Sequence, residues 1–170
     1  GCLTLPRILT LDPHGYLKIE PAPELKILRG RHFQLDKMMI TNNLKNILNG
    51  IKGSCLEIKA EFELIDANFF GFKVVGLEDN NNEFIIGYNN SKKQLYAVRK
   101  KSQFNFLEGE ERLKLHTFID KSVVEVYVNS RECITSRIYP KKIGIIKINL
   151  FSERGSVRLL SLNAWELKTK

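Results

Sequence analysis

The stretch CLEIKAEFEL, residues 55–64, decides the fold class. Charged residues fill the positions between its apolar side chains, which fall on every second residue: Leu56, Ile58, Ala60, Phe62 and Leu64. An alternation of two residues is the period of a β-strand with one face in the core and one face in water. The sequence therefore predicts a half-buried strand here.

Further stretches carry the same kind of pattern, and short turn-forming breaks such as NNSKK, DKS and ERGS separate several of them. They cover residues 69–78, 83–90, 94–100, 112–120, 123–129, 133–139, 144–152 and 156–167. The candidates for helical turns lie around residues 22–30 and 43–53. Many strands with tight connections and no helices between them predict an all-β chain. We expect an antiparallel two-sheet β-sandwich of jelly-roll or concanavalin-like type, with at most one or two short helical turns.

Composition fits a single globular unit. The chain has 170 residues, of which 43% are hydrophobic and 27% charged, enough to bury a core without disulfides or a metal. Its three cysteines, Cys2, Cys55 and Cys133, show no CxxC spacing, and one must be unpaired. We expect reduced thiols, with the last two buried.

The net charge of +8 raises the question of a nucleic-acid partner. Lys and Arg are dense only at residues 98–101 and 139–142, and no nucleic-acid motif accompanies them. A solvated basic surface is the simpler interpretation, so we expect no nucleic-acid partner. No apolar run of about 18 residues or secretion leader is present, which predicts no membrane partner. The chain begins at Gly1 without Met, so the compartment stays open.

Acidic side chains and a histidine concentrate in residues 113–140, which makes an acid/base site worth testing. A tight turn at Lys121 and Ser122 would place Phe118 opposite Glu125, with Asp120 diagonal to Glu125 and accepting turn N–H groups. Glycosidases hold two carboxylates at about 5–9.5 Å, so the spacing alone does not exclude catalysis. A hairpin face offers no concave pocket to raise an acid's pKa. We therefore expect a structural role.

The remaining chemical motifs are weak. His116 has no second His or Cys at the spacing of metal ligands, and the chain has no GxSxG, HExxH, P-loop or GxGxxG motif. The sequence predicts no catalytic residue, no metal site and no cofactor in this chain.

The run LHTFIDKSVVEVYVNSRECITSRIYP, residues 115–140, resembles the signature hairpins of the C-terminal β-sandwich in glycoside hydrolase family 32. This family contains the invertases, levanases and inulinases, whose version reads much like LHVFVDRSSVEVFVNDGE followed by TSRIYP. Residues 1–29 are similar to the family's junction between catalytic domain and sandwich, and residues 161–167 to its closing strand. The chain departs from the pattern at Ile8, where the junction usually has Glu, and at NSRE in place of NDGE, which suggests a different loop type.

This resemblance implies that the chemistry lies ahead of the sandwich, in a five-bladed β-propeller with motifs like WMNDPN, RDP and EC. Glu132 and Cys133 spell the last of these, but in a sandwich hairpin, so the match is read as coincidence. Residues 1–29 would then be the end of the propeller and the interdomain linker, and residues 30–170 the sandwich domain. We expect a non-catalytic module that packs on the propeller and stabilises it, in a parent enzyme that hydrolyses β-fructosyl linkages in sucrose or fructans.

The alternative is a lectin-like module that binds fructan or another sugar through exposed aromatic rings. Its candidate platforms are Tyr88, Tyr96, Tyr127, Tyr139 and Trp165. The propeller of the same polypeptide is the expected partner, and the face it leaves bare should be apolar. Weak binding of fructan or sucrose and a homodimer through the sandwich stay open, as does the parent's choice among sucrose, sucrose phosphate, levan and inulin.

Overall fold

The computed structural model describes residues 3–41, 54–76, 83–138 and 146–168. Within these ranges the chain forms β-strands and one short 3₁₀ helix, Pro23–Leu28. The strands are β1 (Arg7–Leu11), β2 (Leu17–Pro21), β3 (Arg29–Leu35), β4 (Met38–Ile40), β5 (Cys55–Leu64), β6 (Phe69–Gly76), β7 (Glu83–Asn89), β8 (Gln94–Ala97), β9 (Lys100–Gln103), β10 (Arg112–Asp120), β11 (Val123–Val128), β12 (Glu132–Arg137), β13 (Ile146–Glu153) and β14 (Val157–Leu167). The helical turn predicted at 22–30 is thus confirmed, and the one at 43–53 lies outside the described residues.

Strands β3–β14 form two antiparallel sheets, as predicted for the sandwich. The large sheet has the order β12-β11-β10-β5-β14-β3, with β4 also paired to β14. The small sheet has the order β13-β6-β7-β8-β9, and β1 and β2 form a separate hairpin. Among the described residues, no helix is long and apolar enough to cross a membrane.

The core lies between the two sheets and follows the alternation in β5. Leu56, Ile58, Ala60 and Phe62 all point inward and are buried. Phe62 meets Phe70 of the small sheet edge to face, with ring centres 5.6 Å apart. Each such large side chain contributes roughly 1.5–3 kcal/mol on full burial, so the alternating strands account for a stable sandwich.

The predicted strand at 94–100 is wrong in one respect, because the chain turns at residues 98–99, before the predicted strand ends. β8 ends at Ala97, and β9 begins at Lys100 and runs back beside it. Val98 occupies the turn with φ of 62°, which is uncommon for a β-branched residue. Its N–H donates to the carbonyl oxygen of Ile85 at 2.9 Å, so the neighbouring strand holds the turn in place.

Two glycines let strands β6 and β7 approach closely. Gly71 and Gly87 pair across the sheet, and Gly71 has φ of 148°. A Cβ on Gly87 would lie 2.3 Å from the carbonyl oxygen of Phe70, and one on Gly71 would lie 2.2 Å from that of Ile86. No side chain fits at either position without moving the backbone of the neighbouring strand.

Candidate functional site on the outer face of the large sheet

The outer face of the large sheet, which points away from the core, carries two buried carboxylates. Glu57 lies on β5 and Glu125 on β11, and each residue is only 1% exposed. Both fall between inward-pointing residues of their strands, so the alternation places them on this face. A buried ionised carboxylate needs charge partners and hydrogen bonds, which makes their surroundings the place to look for function.

Glu57 is held by an arginine and a histidine. Nε and Nη2 of Arg29 donate to the two carboxylate oxygens at 2.7 and 2.6 Å, and Nε2 of His116 lies 2.7 Å from Oε1. The guanidinium carbon of Arg29 also sits 3.8 Å from the ring centre of Trp165. Arg29 is the first residue of β3, Trp165 lies on β14 and His116 on β10, so together with Glu57 on β5 this cluster ties four strands together.

The electrostatics of this cluster favour an ionised Glu57 beside a neutral His116. Burial alone would raise the pKa of Glu57, but the hydrogen bonds from Arg29 and His116 outweigh it and lower the pKa to about 2. Burial lowers the pKa of His116 from its ordinary value, although the bond to Glu57 opposes this. An ionised carboxylate can only accept hydrogen bonds. Nε2 of the neutral His116 therefore carries the ring proton and donates a hydrogen bond to Glu57. Arg29 supplies the balancing charge.

Glu125 is held mainly by residues ahead of the sandwich. Its Oε1 accepts the backbone N–H of Leu5 at 2.7 Å, and its Oε2 accepts Nη2 of Arg7 at 3.1 Å. The hydroxyl of Tyr127 donates to Oε2 at 3.2 Å, and Arg7 also donates to Oγ1 of Thr135 at 3.0 Å. Burial and the Glu125 charge raise the pKa of Tyr127, so the hydroxyl stays a donor. The carboxylate is occupied by a structural network.

The predicted register of the hairpin formed by β10 and β11 is confirmed, since Phe118 pairs with Glu125. Asp120 is exposed, and its carboxylate accepts the thiol of Cys55 at 3.2 Å instead of the predicted turn N–H groups. Asp120 and Glu125 both line a cavity of about 20 Å³, which holds about one water molecule. Binding sites for small molecules usually enclose about 300–1,000 Å³. This geometry gives no support to an acid/base pair.

The other candidate groups have structural partners as well. Within the described ranges, no three His, Cys, Asp or Glu side chains are placed to hold a metal ion. Glu132 accepts a hydrogen bond from Oγ of Ser102 at 3.3 Å, which joins the two sheets. Cys55 is a buried free thiol as predicted, but Cys133 is a free thiol that is only half-buried, because it lies on β12 at the edge of the large sheet.

The aromatic rings proposed as sugar platforms are mostly occupied. Tyr88 and Tyr127 are buried, and Tyr88 donates its hydroxyl to the carbonyl oxygen of Phe104 at 3.1 Å. The ring of Trp165 is contacted by both Arg29 and His32, the latter stacked with ring centres 4.8 Å apart. Tyr96 is half-buried against Phe69, with Lys101 near its face, and Tyr139 lies outside the described residues.

Sequence reasoning missed the partners of the two buried carboxylates. Arg7 and Arg29 lie 118 and 28 residues away from Glu125 and Glu57 in the chain. The signal was partial: each acid stands on a strand face that also carries an aromatic residue, Phe118 or Tyr127 beside Glu125 and, across the β5–β14 pairing, Trp165 beside Glu57. Such a neighbourhood indicates that the acid is covered, but not by which residue.

The family follows from a direct match. The model described as "Glycosyl hydrolases family 32 C terminal" matches residues 24–166 of this chain. The chain belongs to this family. As a family 32 C-terminal domain it combines the all-β sandwich with the hairpin motifs from which the resemblance was drawn, and both predictions are confirmed.

Relatives of this family 32 C-terminal domain are longer proteins. The levanase of Bacillus subtilis (strain 168) is 32% identical over 166 residues, a match that covers 87% of this chain and 24% of the levanase. The sucrose-6-phosphate hydrolase of Escherichia coli is 29% identical over 176 residues, covering 98% of this chain and 35% of that protein. The chain therefore spans about a quarter to a third of the length of these two hydrolases.

Solved structures show the same fold. The crystal structure of fructan 1-exohydrolase IIa from Cichorium intybus superposes with a TM-score of 0.80 at 19% identity. The superposition covers 98% of this chain and 41% of that chain. The family 32 C-terminal domain thus corresponds in fold to less than half of the fructan 1-exohydrolase IIa chain.

Proposed function

We propose that this chain is the non-catalytic sandwich module of a family 32 glycoside hydrolase. The parent protein hydrolyses β-fructosyl linkages in sucrose or fructans, and the module packs on its catalytic β-propeller and stabilises it. The names of the relatives, levanase and sucrose-6-phosphate hydrolase, support this substrate class. The occupied state of Glu57 and Glu125 supports a chain that breaks no bonds by itself.

The observation that carries the packing role is an apolar surface on the β1–β2 hairpin. Leu9 is 62%, Leu11 69% and Leu17 48% exposed. These residues share one face of the hairpin, because residues two apart on a strand point the same way and Leu11 pairs with Leu17. We call Leu9, Leu11 and Leu17 the hairpin patch. An exposed patch of large apolar side chains is typical of a surface that another domain covers.

The order of the first elements also supports the proposed division of the chain at residue 29. Residues 3–28 contain the hairpin and the 3₁₀ helix, and β3 begins the sandwich at Arg29. In the proposed arrangement residues 1–29 form the end of the propeller and the interdomain linker, and residues 30–170 form the sandwich, so Arg29 is the last linker residue and already pairs with the large sheet as the first residue of β3.

The test compares the whole parent protein with its two parts. We expect the parent to hydrolyse sucrose, inulin or levan, and this chain alone to hydrolyse none of them. Added to the separately produced catalytic part, the chain should bind it and raise its thermal unfolding midpoint. Hydrolysis by the purified chain that Glu125→Gln abolishes, or no association between the parts, would overturn the proposal.

A sugar-binding role is the alternative, and the occupied rings around Trp165 and Tyr127 do not favour it. Calorimetric titration of the chain with sucrose, inulin and levan separates the two functions. A binding isotherm for any of the three sugars would favour the lectin-like alternative. A homodimer through the sandwich is a separate prediction, which sedimentation velocity of the chain tests.

A further inference from the structure

Glu125 is a buried carboxylate, and the groups that neutralise it show how the segment ahead of the sandwich is held. Two of its three donors, the N–H of Leu5 and the guanidinium of Arg7, belong to the segment ahead of the sandwich. The side chain of Glu125 is 2% exposed and that of Arg7 is 27% exposed, so the ion pair is largely shielded from solvent. Breaking a shielded pair leaves an uncompensated charge, and the segment is therefore bound firmly at this point.

A second attachment joins the other strand of the hairpin to the sandwich. The N–H of Ile19 donates to the carbonyl oxygen of Ser130 at 2.8 Å, and the hydroxyl of Ser130 donates to Oε1 of Glu20 at 2.8 Å. Ser130 and Asn129 form the turn between β11 and β12, with φ of 54° and 47°. Non-glycine residues at positive φ are uncommon, and the side chain of Asn129 anchors this turn through the N–H of Lys114 at 2.6 Å.

Two attachments on different strands fix the angle between the β1–β2 hairpin and the sandwich, whereas a single attachment would let the hairpin rotate about it. The first attachment, at Leu5 and Arg7, lies where β1 begins, and the second, at Ile19 and Glu20, lies on β2. A rotation of the hairpin about either point breaks the other. The hairpin therefore projects from the sandwich in one defined direction, and the hairpin patch faces one defined way.

We propose that Glu125 and Arg7 form a latch in which Glu125 is a positioning residue: it fixes the direction in which the hairpin leaves the sandwich and thereby sets the placement of the domain that covers the hairpin patch. The part of this inference that concerns the covering domain rests on the proposed function. The part that concerns the direction of the hairpin does not.

The chain itself offers a matched control. Glu57 is an equally buried carboxylate on the same face of the same sheet, also paired with an arginine, but Arg29 belongs to β3 and not to the hairpin. Glu57→Gln removes the same charge as Glu125→Gln and leaves the hairpin contacts intact. A general loss of stability thus affects both variants, while release of the hairpin affects only the Glu125 variant.

The first experiment measures amide hydrogen exchange in this 170-residue chain. In Glu125→Gln we expect the N–H groups of Leu5 and Ile19 to exchange at least about tenfold faster, while amides shared by β5 and β10 keep their relative protection. In Glu57→Gln we expect the N–H groups of Leu5 and Ile19 to keep their wild-type protection relative to the amides of β5 and β10. Unchanged protection of Ile19 in Glu125→Gln, or equal release in both variants, would overturn the latch.

Arg7 gives a second route if Glu125→Gln does not fold. Arg7→Lys keeps the charge, but its ammonium ends one bond short of Nη2, the one nitrogen through which Arg7 donates to both Glu125 and Thr135. We expect partial release of Ile19 in Arg7→Lys and full release in Arg7→Met. The same exchange rate for Ile19 in the wild type and both Arg7 variants contradicts the latch.

The second experiment uses the complete parent protein. Spin labels at the exposed position Lys114 and on the catalytic domain report the interdomain distance. We expect one narrow distribution in the wild type and in Glu57→Gln, and a broad one in Glu125→Gln. A released hairpin with an unchanged interdomain distance would support the latch within the sandwich and overturn its role in placing the catalytic domain. A broad distribution in the wild type would count against the proposed packing itself.

Discussion

Arg29 grips Glu57 with two parallel hydrogen bonds, Nε to Oε2 at 2.7 Å and Nη2 to Oε1 at 2.6 Å, and covers the ring of Trp165 at the same time. The arginine comes from β3, the acid from β5 and the indole from β14 between them. One side chain therefore joins the edge of the large sheet to its centre. We expect this Arg29–Glu57 ion pair to contribute more to the stability of the sandwich than the exposed ion pairs on the same face.

Replacing Glu57 with Gln should lower the free energy of unfolding by about 3–5 kcal/mol, because it leaves the Arg29 charge without its partner in a shielded place. Urea denaturation at neutral pH measures the change. Glu61→Gln is the control, since Glu61 pairs with the exposed Arg112 at 3.4 Å and should cost less than about 1 kcal/mol. Equal effects of the two substitutions would contradict the role given to the Arg29 pair.

Acid should destabilise the chain through the same carboxylate. The pKa of Glu57 is lowered to about 2 from an ordinary 4.5, so the unfolded state takes up a proton first as the pH falls. The stabilisation is therefore complete above pH 4.5 and lost as the pH approaches 2, by about 3 kcal/mol at most. The neutral His116, whose pKa is lowered by burial, adds a loss in the same direction that begins below pH 6.5.

Urea midpoints measured across this pH range test the acid prediction. The wild type should lose more stability than Glu57→Gln between pH 4.5 and pH 2, because the variant has no carboxylate to protonate at this position. Parallel curves for the two proteins would show that Glu57 contributes nothing to acid unfolding.

Gly87→Ala should destabilise the small sheet by about 3 kcal/mol or more, because its Cβ would lie 2.3 Å from the carbonyl oxygen of Phe70. Gly109→Ala is a suitable comparison, since Gly109 has φ of 74° but no atom within 4 Å of its Cβ, and only backbone strain of about 1–2 kcal/mol applies. Thermal unfolding followed by circular dichroism ranks the two. A milder effect at Gly87 than at Gly109 would refute the close approach of β6 and β7.

Substituting Ser for both Leu9 and Leu11 should leave the isolated chain almost as stable as before, within about 0.5 kcal/mol, because both side chains already face solvent. In the parent protein the same double substitution should lower the thermal midpoint, because the covered surface loses apolar contacts. Met39→Ser, at another exposed apolar position, serves as the control that should change neither protein. Loss of stability in the isolated chain would place the hairpin patch against the sandwich instead.

Much of the sandwich could be predicted from sequence because its strands alternate cleanly. β5 and β10 begin and end at the predicted residues, since charged residues mark most of the outward positions. The turn at Val98 escaped prediction because a β-branched residue at positive φ is held there by Ile85 of a neighbouring strand, a contact with no local signal. β3 and the hairpin strands also escaped, because only tertiary pairing makes their short, weakly patterned segments extended.

The same limit applies to the outer face. The sequence places Glu125 opposite Phe118, and the alternation of β11 shows which way it points. That it is neutralised by Arg7 depends on a fold-back across more than a hundred residues, which no periodicity encodes. Charge partners of this kind become visible only once the strands are in place.

The Arg7–Glu125 contact also determines where this module should be cut when it is exchanged between related enzymes. The family match starts at residue 24, yet a swap between related enzymes cut at that point would transplant Glu125 and leave its cation behind in the donor. The recipient would have to supply an arginine at the matching place in its own preceding strand. Chimaeras joined upstream of Leu5 should therefore succeed more often than those joined at residue 24.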